Sequence, residues 1–374
     1  MAAASSNNAS SSVAAVAAAA EGAGSGQNIT LGLWYLSGRY QFVTEETLTL
    51  YIFAAVIISE SVSVIGVVTN TINIIVFVRL GLRETTTISM LSLAVSDLLL
   101  STVGLWNNLL YLPDFPLPVR KDEIFIVTGS VFRQFMGRAS ALITTFITIE
   151  RCLCVIVPLK VRDIITRKRT IIVIITIFAI TVGPSMYVYG NYRIGWNFYP
   201  DVNKTLFGAP YIDIPINNIV DRIISTIFGT FLLQFSFVTT CICTTYLVIH
   251  LRRASQFRLS HSSAKTAFNE SSKDGQEKSA NSSSSKEDRV ARTVVVIATV
   301  FIICFTSGCI SWLFYVFFPG FTWYGLYGQL FQMIFTLNYM TEPINSSVNL
   351  FIYYSMATNY RSMLGQMLGI VKKD

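Results

Sequence analysis

Residues 147–162 read ITIERCLCVIVPLKVR. A long apolar run ends here in a charged pair, Glu150 and Arg151, followed by two cysteines, a proline and further basic residues. A carboxylate and a guanidinium set against apolar sequence cost several kcal/mol unless each finds a partner or reaches water. The stretch therefore marks the edge of an apolar environment, and its charges need a reason to be there.

Outward from this point the whole chain has the same character. Of its 374 residues, 52% are hydrophobic and only 13% are charged, whereas roughly a quarter of a soluble domain is charged. Apolar segments long enough to cross a bilayer recur at about 50–78, 86–111, 124–157, 169–190, 219–250, 290–318 and 326–354. The expected fold is an all-α membrane protein, a bundle of seven transmembrane helices.

The net charge of +7 sits mostly in short connectors, which argues for membrane topology and against a nucleic-acid partner. Arg79 and Arg83 follow the first span, Lys160, Arg162, Arg167, Lys168 and Arg169 the third, and Arg252, Arg253, Arg258 and Lys265 the fifth. Basic residues beside span ends stay cytoplasmic, so the N-terminus is expected outside and the C-terminus inside. The sequons at Asn8, Asn28 and Asn203 then fall on the outer side as glycosylation sites.

Composition divides the chain further. Residues 1–48 open with an Ala/Ser/Asn/Gly tract and read as a disordered extracellular tail. Residues 49–355 hold the seven spans, interrupted by a Ser-rich third cytoplasmic loop, 252–289, expected to be disordered. Residues 356–374 form a short cytoplasmic tail. There Tyr360, Leu364, Met367 and Leu368 recur at helical spacing, predicting an amphipathic helix against membrane lipids. The six cysteines lie in or beside apolar runs without metal-ligand spacing to His250 or His261, and read as small packing residues.

Polar groups within the spans are the candidates for function, because holding them there is expensive. These are Glu60, Asp97, Arg133, Arg138, Glu342 and the Glu150–Arg151 pair. On the third span, Ser140 lies eleven residues before Arg151 and Arg133 eighteen before it. At about 100° per residue all three share one stripe, with Ser140 roughly 16 Å and Arg133 roughly 27 Å outward of Arg151. Arg138 points to another face and reads as a helix-packing residue. On the seventh span Glu342, Asn345 and Asn349 align. Arg133 and Glu342 come to similar depth, where they either pair as a latch or bind complementary groups of a ligand.

Several ordered motifs now coincide: GVVTN ending at Asn70, LSLAVSDLLL with Asp97, ERCLCVIVPL with Arg151, ARTVVVIATVFIICF in the sixth span and NSSVNLFIYY with Asn349 and Tyr353. Together, over about residues 60–361, they resemble the rhodopsin-like G-protein-coupled receptors. The resemblance implies binding of an extracellular ligand in an outward-opening pocket with Arg133, Gln134 and Glu342. It also implies activation of a heterotrimeric G protein and residence in the plasma membrane. It makes Arg151 a switch restrained by Glu150 and Glu287, turning on activation towards Tyr246 and Tyr353, with Phe305 as toggle. It makes Asp97, Ser140, Asn345 and Asn349 a sodium pocket, which suits charge logic too, since a mid-membrane Asp97 needs a cation, donors or a proton.

The departures are equally specific. Ile126 stands where the family has a disulfide cysteine, and residues 191–218 contain none. The family's sixth-span Trp-x-Pro is replaced by Phe305-Thr306-Ser307, and its seventh-span Asn-Pro by Asn349-Leu350. The second outer loop is left to packing by Trp196, Phe198, Tyr199, Phe207 and Tyr211, or to mobility. The chain resembles a divergent member, similar to invertebrate chemosensory or neuropeptide receptors. No lysine lies between Lys286 and Lys372, so a retinal Schiff base is excluded. Against the family's amine receptors, Arg133 in place of an aspartate disfavours a monoamine. A free Arg133 would suit a carboxylate ligand, and a neutralised one a neutral or peptide ligand. The alternative is a seven-span transporter or channel with Asp97, Arg133 and Glu342 as ion path, though no internal repeat supports it. An enzyme is not expected, for no nucleophile–base spacing is present.

Overall fold

The structure is a computed structural model that describes residues 42–110, 117–158, 160–212, 219–220, 223–267, 274–318, 320–322 and 325–369. Helix α1 spans Glu45–Leu80, α2 Thr85–Leu110, α3 Lys121–Ile156 and α4 Arg167–Gly190. A hairpin of β1, Gly195–Tyr199, and β2, Lys204–Gly208, follows. Then come α5, Leu232–Ala267, α6, Asp274–Phe317, α7, Gly328–Ser347, α8, Asn349–Met356, and α9, Thr358–Met367. Short π-helical segments open two of the long helices, Ile126–Ser130 within α3 and Ser225–Phe231 ahead of α5.

Among the described residues, six helices are long and apolar enough to cross a membrane, in α1 to α6. The seventh expected span is α7 continued by α8, broken at Val348. It is the most polar of the seven because its buried surface includes Gln329, Asn345, Ser346, Ser347 and Asn349. Those groups face protein, so the helix does not need an apolar sequence on every side. The chain is therefore a multi-pass membrane protein with the expected seven-helix bundle.

Packing follows the rule for helices in lipid, where small residues and interhelical hydrogen bonds replace the hydrophobic drive. α1 lies along α2 and α7, while α3 runs through the middle against α2, α4, α5 and α6. At the α1–α2–α7 seam a β-carbon on Gly66 would come within 2.4 Å of Ser101 Oγ and 2.9 Å of Ser347 Oγ, so only glycine allows this approach. Asn70 Nδ2 crosses the seam to the Ser346 carbonyl at 3.0 Å. Asn73 accepts from Tyr360 Oη at 2.6 Å, which ties α9 to α1. Of the residues at amphipathic spacing, Tyr360 and Leu364 are buried, while Leu368 is 64% exposed.

Two features differ from the sequence reading. Residues 195–208 form a hairpin inside an otherwise helical protein, its strands paired from Gly195 with Gly208 to Tyr199 with Lys204. Asn203 turns the chain with φ of 49°, a region asparagine tolerates. Residues 252–267 and 274–289, expected in a disordered loop, continue α5 and α6 as helix; extending an existing helix costs far less than nucleating one. The loop aromatics meet the packing expectation in part: Tyr199 is buried and Trp196, though 63% exposed, packs edge-on against Phe207, while Phe198 projects outward.

Candidate functional site

A cavity of about 290 Å3 lies between α3, α5, α6 and α7, towards the hairpin end of the bundle. Pro343 shapes its α7 wall. Proline has no amide hydrogen, so the carbonyl four residues earlier, that of Tyr339, loses its helical partner. Arg133 takes that carbonyl with Nη2 at 2.6 Å and gives Nε to Glu342 Oε2 at 3.1 Å. Its guanidinium lies over the Tyr339 ring, 3.4 Å from the centroid. Arg133 and Glu342 are thus an ion pair, and a ligand does not meet Arg133 as an isolated cation.

Arg138 has the opposite environment. It is 5% exposed, packs between helices as its position on α3 predicted, and also forms part of the cavity wall. Its Nη1 donates to the Gln134 carbonyl at 2.8 Å and its Nη2 to the Gly229 carbonyl at 3.4 Å, while Nε has no hydrogen-bond partner. Trp312 stacks 5.0 Å from the guanidinium carbon. Gly229 makes this approach possible, since a β-carbon there would lie 3.2 Å from the Trp312 ring. Phe305 forms part of the floor, buried and stacked on Phe301 at 4.5 Å.

Further along α3, at Ser140, the Asp97 carboxylate of α2 is fully buried and accepts from Ser140 Oγ at 2.7 Å and from Asn349 Nδ2 at 2.8 Å. Asn345 is buried one turn before Asn349. No ion pair reaches Asp97 among the described residues. Asp97 and Ser140 offer hard oxygen atoms at a carboxylate without an ion pair among the described residues, a chemistry that fits an alkali cation, with the Asn349 carboxamide beside it and Asn345 one turn earlier.

At the opposite end of α3 Arg151 Nη2 bonds Glu150 Oε1 at 2.9 Å and also donates to Thr86 Oγ1. Thr85 Oγ1 donates to the same carboxylate oxygen at 2.5 Å. The first turn of α2 therefore holds both members of the pair. Tyr353 is buried in an aromatic cluster with Phe77 and Tyr360, and Tyr246 is 42% exposed on the outside of α5. Among the described residues Arg151 bonds to Glu150 and Thr86, and not to either tyrosine. The Glu287 side chain, like Asn8 and Asn28, lies outside the described residues. Asn203 is exposed at the hairpin turn.

Two groups of residues escaped the sequence reading. Glu123, in the first turn of α3, accepts from Tyr199 Oη at 2.5 Å and from the Ala209 amide at 2.8 Å. The Phe207 amide and carbonyl pair with the Pro118 carbonyl and the Arg120 amide, each at 2.9 Å, and Arg120 bridges Asp201 at 2.6 Å. The hairpin is thus joined to α3 without a disulfide, through a carboxylate and a strand-like bridge. Burial, aided by the Glu123 carboxylate, pushes the Tyr199 phenol up to about 12, so it remains a donor at neutral pH. The second group is Thr85 and Thr86, whose signal was the Thr85-Thr86-Thr87 run opening the second span.

No curated protein matches the chain. The sequence signature described as 7 transmembrane receptor (rhodopsin family) matches residues 69–353, more than half of its length and every span from the end of α1 into α8. With the bundle, the buried Asp97 and the restrained Arg151 in their expected order, the chain belongs to the rhodopsin family of seven-transmembrane receptors.

Proposed function

We propose that the chain binds an extracellular small molecule or peptide in the α3–α5–α6–α7 cavity and activates a heterotrimeric G protein at the Arg151 end. The hairpin end then faces outward and the connector arginines and lysines face the cytoplasm. The observation that carries this reading is α3 itself: one helix lines the cavity with Arg133 and Arg138 and, four turns on, presents Arg151 held by Glu150 and Thr86. A ligand preferring a shifted α3, α6 or α7 would bias that restraint. Family membership supports signalling by this route and gives no support to an ion path through Asp97, Arg133 and Glu342.

A sodium ion at Asp97 fits the same scheme. Asp97, Ser140, Asn345 and Asn349 would hold it, and it would supply the positive charge that the buried carboxylate lacks. Ser140 and Asn349 meanwhile orient that carboxylate between α3 and the start of α8.

The deciding experiment replaces Arg151 by alanine in cells carrying reporters for several G-protein classes. Signalling should fall to background with surface expression unchanged. Full coupling at normal surface levels would overturn the receptor mechanism.

A further inference from the structure

We propose that the ligand carries an anionic group, a carboxylate being the best match, and that Arg138 is its anchor. This deepens the receptor reading and rests on it. Two guanidiniums, Arg133 and Arg138, line the cavity, and among the described residues Glu342 is the one acidic side chain beside them. Glu342 is engaged by Arg133. The site therefore holds one positive charge in excess, and Arg138 carries it.

A guanidinium this deeply buried is costly unless a counter-charge or a full set of acceptors meets it. Arg138 has neither. Its two bonds go to backbone carbonyls, and the edge formed by Nε and Nη2 is the under-satisfied one: Nε is buried without a partner and Nη2 carries only the long 3.4 Å bond to Gly229. That edge presents two parallel N–H groups, the geometry that grips a carboxylate with two bonds. Trp312 fixes the plane of the guanidinium without neutralising it.

The rest of the cavity defines the rest of the ligand. Leu233, Phe305, Trp312, Phe331 and Phe335 offer an apolar and aromatic surface, and Asn338 presents an unpartnered carboxamide oxygen. A volume of about 290 Å3 is at the small end of ligand sites. The class that fits is a small acid with an aromatic or branched apolar body, extended by a hydrogen-bond donor towards Asn338. A monoamine is opposed by the same excess charge.

The test uses the full-length chain purified in detergent, with 4-phenylbutyrate as probe and 4-phenylbutyramide as its uncharged match. At about 10 mM, millimolar affinity raises the apparent Tm by a few degrees through binding to the folded state alone. The acid should stabilise the protein and the amide should not. Arg138→Gln should abolish the difference, reducing affinity tenfold or more, and Arg138→Lys should retain part of it. Equal effects of acid and amide, no effect of either, or a preference that persists in Arg138→Gln would each overturn the assignment. If Arg138→Gln does not fold, the wild-type preference and its survival in Arg138→Lys decide the matter. G-protein coupling is read separately through Arg151→Ala. An acid preference lost with Arg138, in a protein that never couples, would overturn the receptor reading alone. Coupling that depends on Arg151, without any acid preference, would overturn the anion site alone.

Discussion

Pro343 has no amide hydrogen, and that one missing donor organises the α7 side of the cavity. The freed Tyr339 carbonyl accepts from Arg133 and, at 3.3 Å, from Ser59 of α1, so a helix irregularity becomes a junction of three helices. Arg133 is then committed twice, to that carbonyl and to Glu342. Removing one partner of a buried pair costs about 3 kcal/mol or more, with Glu342 keeping some solvent contact at 22% exposure. Single reversals, Arg133→Glu or Glu342→Arg, should lower surface expression and Tm, and the double reversal should recover much of both. Absence of rescue in surface labelling and thermal melts would count against the latch. Asp97→Asn removes charge while leaving groups that can bond Ser140 and Asn349. Any dependence of receptor stability on sodium over potassium should disappear in this variant, and its survival would move the ion elsewhere. Helical arithmetic on single straight stripes brought Arg133 and Glu342 to one depth, where they pair, while the grouping of Asp97 with Ser140 and Asn349, which do converge, was legible through the family resemblance. Arg138 packs between helices as read, but its place in the cavity wall was missed because α3 has neighbours on several sides. A second face on the central helix is as interior as the first, and a one-face projection cannot show that.

At the scale of elements, the hairpin shows how a loop is ordered without a covalent tie. Glu123 collects Tyr199 and the Ala209 amide at one carboxylate oxygen, and Gly208 leaves the room for it. A β-carbon on Gly208 would fall 2.0 Å from Tyr199 Oη and 2.6 Å from Glu123 Oε2. Gly208→Ala should therefore break the clamp, at a cost of about 1–3 kcal/mol for unmade bonds to a charged group. Hydrogen exchange of the paired amides in β1 and β2 should quicken while that of α3 below Arg133 stays unchanged. Uniform protection would show that the strand bridge at Phe207 suffices. The phenol of Tyr199 is raised from its usual 10 to about 12. A raised value stabilises the folded hairpin below pH 10 and loses that contribution as pH climbs through about 12, so the clamp should be indifferent to acidification from 8 to 6 as far as Tyr199 is concerned. The hairpin had a sequence signal, the Trp196-Asn197-Phe198-Tyr199 and Thr205-Leu206-Phe207 runs about a Pro-Asp-Val-Asn turn. The spans themselves were easier to read, because some twenty apolar residues in a row admit few structures.

Over the whole molecule, α3 is the member through which cavity and switch can share a state. Its Arg133 and Arg138 meet α7, the π-helical turn ahead of α5, and α6, and its Arg151 meets α2. The restraint at the far end is light. Arg151 Nη2 carries the bonds to Glu150 and Thr86, Arg151 Nε and Glu150 Oε2 are unpartnered, and no second ion pair reinforces them among the described residues. A bond to a charged group contributes about 1.5–3 kcal/mol, and a shift of 1.4 kcal/mol is about tenfold in a two-state ratio. Thr86→Val keeps the shape of the α2 turn and removes one acceptor from Arg151. If the Thr86 contact belongs to the resting state alone, ligand-free signalling should rise several-fold at equal surface density. Arg151→Ala placed on the Thr86→Val background should abolish that rise, since a freed arginine is its cause. Basal signalling unchanged by Thr86→Val would mean that the contact persists in the signalling state. The restraint would then have to come from contacts other than the α2 turn.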